Sequence, residues 1–152
     1  MSIMKTFQYS VEVRSAGGPL TVVSSAGKPQ LEVATPPEFK DGVEGVWSPE
    51  DLLVAATAAC FSTTLAAVTR RRRLAVESVA VTGLGHVEKR VDGRLGFVAI
   101  ELSVEIEAPE TSELALEEAA RYAEKACLVR AAVDVPVHVE VAIRSGEPAL
   151  TA

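Results

Sequence analysis

Apolar and polar residues alternate along some stretches of the chain and recur at helical spacing along others. Over residues 6–14, Phe7, Tyr9, Val11 and Val13 alternate with polar neighbours, the period of a half-buried strand. Residues 20–25 and 30–35 read as two more short strands, separated by Ala26-Gly27-Lys28-Pro29. Together these predict a three-stranded antiparallel meander. Residues 36–47 form a loop with prolines, glycines and charges, ending on the only tryptophan, Trp47.

A helix is predicted from Pro49 to about Arg70. Ser48 is a good N-cap, Pro49 suits the first helical position, and Glu50 and Asp51 lie at the positive end of the dipole. Its interior is mostly alanine and leucine, so it reads as apolar all round and buried. Arg70-Arg71-Arg72-Arg73 complements the negative end of the same dipole. Residues 76–89 and 95–107 pair as a hairpin about Asp92-Gly93. Val98, Ile100, Leu102, Val104 and Ile106 take one face, against Glu101, Ser103, Glu105 and Glu107 on the other. Ser112 opens a second helix predicted over residues 113–131. Leu116, Ala119, Ala120, Ala123, Ala126 and Cys127 recur there at helical spacing. Alternating valines over residues 135–143 give a last strand, and residues from about 145 to 152 read as a loose tail.

The 152 residues fit a single domain spanning 1–152, long enough to bury a core. A net charge of −6 argues against a nucleic-acid partner. The start lacks the apolar region of a signal peptide, and no apolar run approaches the ~20 residues of a membrane span. The expectation is a cytoplasmic protein with no membrane partner. His86 and His138 fall on polar strand faces, and neither reads as catalytic. No phosphate loop, nucleophile elbow or metal-ligand cluster is apparent, and no cofactor is expected.

Two cysteines remain, Cys60 inside the first helix and Cys127 on the stripe of the second. In a reducing compartment they are either small core residues or a redox pair.

Ser48-Pro49-Glu50-Asp51-Leu52-Leu53-Val54-Ala55-Ala56-Thr57-Ala58-Ala59-Cys60-Phe61 resembles the Asn/Ser-Pro-Glu-x-Leu…Ala-Ala-Cys-Phe segment of the OsmC/Ohr family. These are the osmotically inducible and organic-hydroperoxide-resistance proteins. The order of elements agrees from about Phe7 to Arg144. The resemblance implies an α+β fold, with antiparallel sheets wrapped around two long central helices in an intertwined homodimer. It also implies a thiol-dependent peroxidase for alkyl or lipid hydroperoxides. Cys60 attacks the hydroperoxide, Cys127 resolves the sulfenate as a disulfide, Glu50 is the active-site glutamate, and an external dithiol restores the thiols.

Where many members carry an arginine after the first strand, this chain has Gly17-Gly18-Pro19. The second cysteine stands in Ala126-Cys127-Leu128-Val129-Arg130 rather than Cys-Pro-x-Ser. Arg14, Arg130 and Arg121 are the candidates to stabilise the Cys60 thiolate, since burial alone raises a thiol pKa. Ten residues of helix separate Glu50 from Cys60 by about 15 Å, so a shared site would draw them from two subunits. An apolar pocket including Phe61 would favour organic hydroperoxides over hydrogen peroxide. The alternative is a non-catalytic ligand-binding or redox-sensing member of the same fold.

Overall fold

The computed structural model describes residues 4–145. Of the tail expected from about residue 145, Ser145 ends the last strand, and residues 146–152 lie outside the described residues, as do Met1 to Ile3. The architecture is mixed α+β, with two sheets and two main helices. The chain divides into two compact units, Met1–Leu52 and Leu53–Ala152.

The first unit holds a meander of β1 (Glu12–Ser15), β2 (Thr21–Ser24) and β3 (Leu31–Val33), antiparallel throughout. The first strand is much shorter than the sequence predicts. Pairing stops at Glu12↔Ser24, so Phe7, Tyr9 and Val11 alternate as a strand would but have no ladder to join. The loop after β3 returns beside it, with the Ala34 N–H donating to the Trp47 carbonyl at 2.9 Å. Gly42 permits this path, because a Cβ there would collide with the Pro36 carbonyl.

Helix α1 (Pro49–Arg71) begins in this unit. Its cap is a reciprocal box. The Asp51 N–H donates to Ser48 Oγ at 3.0 Å, and the Ser48 N–H donates to Asp51 Oδ2 at 2.9 Å. At its other end Arg73 turns left-handed at φ 57°, and the Leu74 N–H closes on the Thr69 carbonyl at 2.9 Å. That conformation favours glycine, so the last arginine does more than solvate the helix end.

The second unit contains the rest of α1, β4 (Ser78–Lys89), β5 (Leu95–Ala108), α2 (Glu113–Ala126), a single turn α3 (Leu128–Ala132) and β6 (Val137–Ser145). The order is β4-β5-β6. β4 and β5 are antiparallel, but β5 and β6 are parallel. This corrects the expectation of purely antiparallel sheets: the helical crossover between β5 and β6 returns the chain in the direction it left.

Ile100, Leu102, Val104 and Ile106 of β5 form the floor of the core. Phe61, Leu65 and Val68 of α1 and Leu116, Ala119, Ala120 and Ala123 of α2 cover it. A register shift at His86/Val87 turns Phe97, rather than Val98, toward this core. Gly85 leaves room for that ring, since a Cβ there would sit 2.6 Å from it. His86 lies on the open face, its Nε2 2.9 Å from Glu101 Oε2, and His138 is exposed.

Two expectations about α1 are corrected. It is not buried all round: Thr57, Phe61, Leu65, Val68 and Thr69 form one buried stripe, while Ala56, Ala59, Thr63, Ala66 and Ala67 are exposed. It is also long and apolar enough to cross a membrane by length and composition, contrary to the reading of the sequence. Its buried stripe packs in the core of the second unit, as that of a core helix does. The two buried threonines are satisfied within the helix, donating to the Leu53 and Leu65 carbonyls at 2.8 and 3.0 Å.

Candidate active site

The second helix does not run unbroken to residue 131. It stops at Ala126, and Cys127 adopts an extended backbone at φ −68°, ψ 113° before α3 begins. Cys127 thus closes one helix and caps the next. Its Sγ accepts from the Arg130 N–H at 3.5 Å, and its carbonyl accepts from the Ala131 N–H at 3.2 Å. No glycine or proline marks the break, so sequence reasoning had no local signal for it. Ala126 is consequently exposed rather than part of the buried stripe, whereas Cys127 is buried.

Ending α2 at Cys127 leaves the Leu128 and Val129 N–H groups without helical carbonyl partners. They face the sulfur of Cys60, which is half-buried on unbroken α1. Burial pushes the Cys60 thiol up. Hydrogen bonds from the Cys127 thiol, the Val129 N–H, the Thr64 hydroxyl and the Leu128 N–H outweigh it, and the pKa falls below the ordinary thiol value. Cys127 moves the opposite way. Burial raises it, and its neighbour Cys60 raises it further through both the hydrogen bond and the charge, against the Arg130 and Val129 N–H groups. Both cysteines are free thiols, so one site holds an acidified thiol beside one that retains its proton.

None of the other candidate side chains is among the groups that shift the Cys60 pKa. Glu50 lies in the first turn of α1, in the first unit, and its Oε2 is buried without a hydrogen-bond partner. Arg14, on β1 in the same unit, is paired with Glu12 at 2.6 Å. Arg121 is exposed on α2. Arg130 sits at the break, but its guanidinium is bound to Glu124 at 3.0 Å. The hydrogen bonds that lower Cys60 come from neutral groups instead. Thr64 was missed in the sequence, although its i+4 spacing from Cys60 places it on the same face one turn on. The pocket wall expected from Phe61 is also corrected: Phe61 is 1% exposed and belongs to the core. Among the described residues, no three His, Cys, Asp or Glu side chains gather as metal ligands.

Comparison with known proteins places the chain in one family. The family model described as OsmC-like protein matches residues 42–142, well over half of the chain. An OsmC-like protein of unknown function from Vibrio cholerae superposes with a TM-score of 0.80 at 19% identity, covering 90% of this chain and all of that one. An organic hydroperoxide resistance protein from Elizabethkingia anophelis superposes at 0.73 with 23% identity, covering 93% of this chain and 99% of that one. A protein of the same description from Legionella pneumophila gives 0.71 at 22% identity, covering 91% and 98%. No curated protein matches the chain. At these identities the superpositions establish the fold alone, and the match over residues 42–142 establishes membership: the chain belongs to the OsmC-like protein family.

Proposed function

We propose that the protein is a thiol-dependent peroxidase that reduces organic hydroperoxides through Cys60 and Cys127. The observation that carries this reading is the adjacency of two free thiols, Cys60 on unbroken α1 and Cys127 at the break between α2 and α3. A peroxide needs a thiolate, and the lowered pKa of Cys60 increases its thiolate fraction at a given pH. The thiolate sulfur attacks the terminal oxygen of ROOH, and the O–O bond breaks. Cys60 becomes a sulfenic acid and RO⁻ departs. Cys127, which has kept its proton, donates it to RO⁻ and becomes the second thiolate. This attacks the Cys60 sulfur, the S–S bond forms, and the expelled hydroxide takes a proton to leave as water. An external dithiol returns both thiols by exchange. No cofactor enters this cycle, and a cytoplasmic setting would keep the resting thiols reduced.

Leu128, 77% exposed beside Cys127, offers apolar surface to an alkyl group near the sulfur pair. The likeness to the Elizabethkingia and Legionella organic hydroperoxide resistance proteins favours the same substrate class.

The assembly belongs to the same proposal: a homodimer. Phe7, Tyr9, Val11 and Val13 are between 57% and 87% exposed, more apolar surface than one strand segment leaves to water without a partner. The open face of α1, lined by Ala56, Ala59, Ala66 and Ala67, is smooth enough for a second helix to approach closely. In such a dimer the unpartnered Glu50 carboxylate would find its site on the other subunit.

The test is oxidation by one equivalent of cumene hydroperoxide, followed by intact-mass and peptide mapping under non-reducing conditions. Formation of a Cys60–Cys127 disulfide supports the reading. Two free thiols after complete mixing would reject it.

A further inference from the structure

Arg130 occupies an unusual place for a surface arginine. Its side chain is 36% exposed, its Nε is buried without a hydrogen-bond partner, and its Nη2 reaches two elements at once. One contact is Glu124 Oε1 at 3.0 Å, in the last turn of α2. The other is the Val137 carbonyl at 3.5 Å, at the start of β6. Its own N–H meanwhile binds Cys127 Sγ at 3.5 Å. One residue therefore ties α2, the α3 turn and the parallel edge strand together around the break, with no glycine or proline there to fix it.

From this geometry we infer that Arg130 and Glu124 are positioning residues that hold the helix break at Cys127. By holding it, they keep Cys127 Sγ on the Arg130 N–H and keep the Leu128 and Val129 N–H groups at the break, where they lower the Cys60 pKa. Without the clamp, the local alternative is for the segment to continue as helix, since Ala126, Leu128 and Ala131 suit one. The two N–H groups would then return to the carbonyls of α2, and Cys127 would rotate with the turn. The guanidinium thus acts through the backbone, not as a charge on the thiolate.

This inference rests on the proposed peroxidase reading for its purpose but not for its test. The thiol ionisation of Cys60 is followed by the Cβ chemical shifts of labelled cysteine in the full-length protein and in Glu124→Gln, Arg130→Gln and Arg130→Lys. Glu124→Gln is nearly isosteric at a half-exposed position, so it tests the clamp with little risk to folding. Thiolate at Cys60, at a fixed pH on the rising limb, is expected to fall about threefold in Glu124→Gln, the order of effect such an ion pair carries. Arg130→Gln is expected to lose more, and Arg130→Lys, which can still meet Glu124, less. A folded Glu124→Gln protein with an unmoved Cys60 midpoint overturns the inference. Disulfide closure after cumene hydroperoxide is measured separately and is expected to slow in the same order. If the parent protein forms no disulfide, the peroxidase reading fails, while the titration still decides the clamp.

Discussion

α1 and the α2–α3 segment each carry one cysteine and treat the backbone around it in opposite ways. Around Cys60, α1 is continuous for 23 residues, and its N–H groups are occupied within the helix. At Cys127 the helix ends and restarts, freeing N–H groups that have to bond elsewhere. A thiol on an intact helix gets no backbone help from its own turn, so the broken helix supplies it. The same break gives Cys127 an N–H of its own, from Arg130 at 3.5 Å, but burial and the neighbouring Cys60 sulfur outweigh it and its pKa rises. Division of labour between the thiols follows from where one helix stops.

The largest expected effect separates the two cysteines directly. Cys60→Ser should consume hydroperoxide at the background rate only. Cys127→Ser should consume one equivalent and then stall, leaving a sulfenic acid detectable by mass or by trapping. Equal loss in both variants at the first turnover would merge the two roles.

A second comparison concerns stability. Leu65→Ala, in the buried stripe of α1, removes a fully buried side chain and should cost about 2–5 kcal/mol in chemical denaturation. Ala66→Ser, one residue along on the open face, should leave the stability of the folded subunit nearly unchanged and act on the proposed dimer instead, weakening association as the protein is diluted. A loss as large as that of Leu65→Ala and independent of protein concentration would contradict the open face.

The pH dependence sharpens the thiol comparison. Attack requires the thiolate, so the first-turnover rate should rise with pH to a plateau, with its midpoint below the ordinary thiol value, because the Cys60 pKa is lowered. Cys127→Ala removes an S–H donor and should move that plateau to higher pH. Cys127→Ser, which keeps a donor, should move it less. An identical profile in all three proteins would contradict the hydrogen bond between the sulfurs.

The smallest expected effect is also the most specific to the break. Proline at position 128 forces the preceding residue into extended backbone, where Cys127 already lies, and suits the first position of α3. Leu128→Pro should therefore fold, with a gain of about 0.4–1 kcal/mol from the stiffer unfolded chain. It should also raise the Cys60 pKa by removing one of the N–H groups that lower it. Loss of stability together with an unchanged Cys60 titration would show that the break is not built as described.

Residue by residue, the sequence was readable where local chemistry decides structure. The Ser48-Pro49-Glu50-Asp51 cap and the Asp92-Gly93 turn set their elements to within a residue or two. It was less readable where a distant partner decides. Phe7, Tyr9 and Val11 alternate perfectly well, yet a strand exists only if another strand receives it. The parallel β5·β6 pairing depends on the path of the crossover, which valine alternation in β6 does not encode. The break at Cys127 depends on Glu124 and the Val137 carbonyl meeting Arg130, interactions that no helical propensity anticipates. For the same reason a charged activator of Cys60 was sought in the sequence, while the groups facing it are two backbone amides, a threonine and a thiol.

The most direct test of the division of labour is to titrate both cysteines at once, by the Cβ chemical shifts of labelled cysteine in the reduced, full-length protein. Cys60 is expected to ionise first, below the ordinary thiol value, and Cys127 second, above it. Coincident titrations, or Cys127 ionising first, would contradict the assignment of Cys60 as the attacking thiol and Cys127 as its resolving partner.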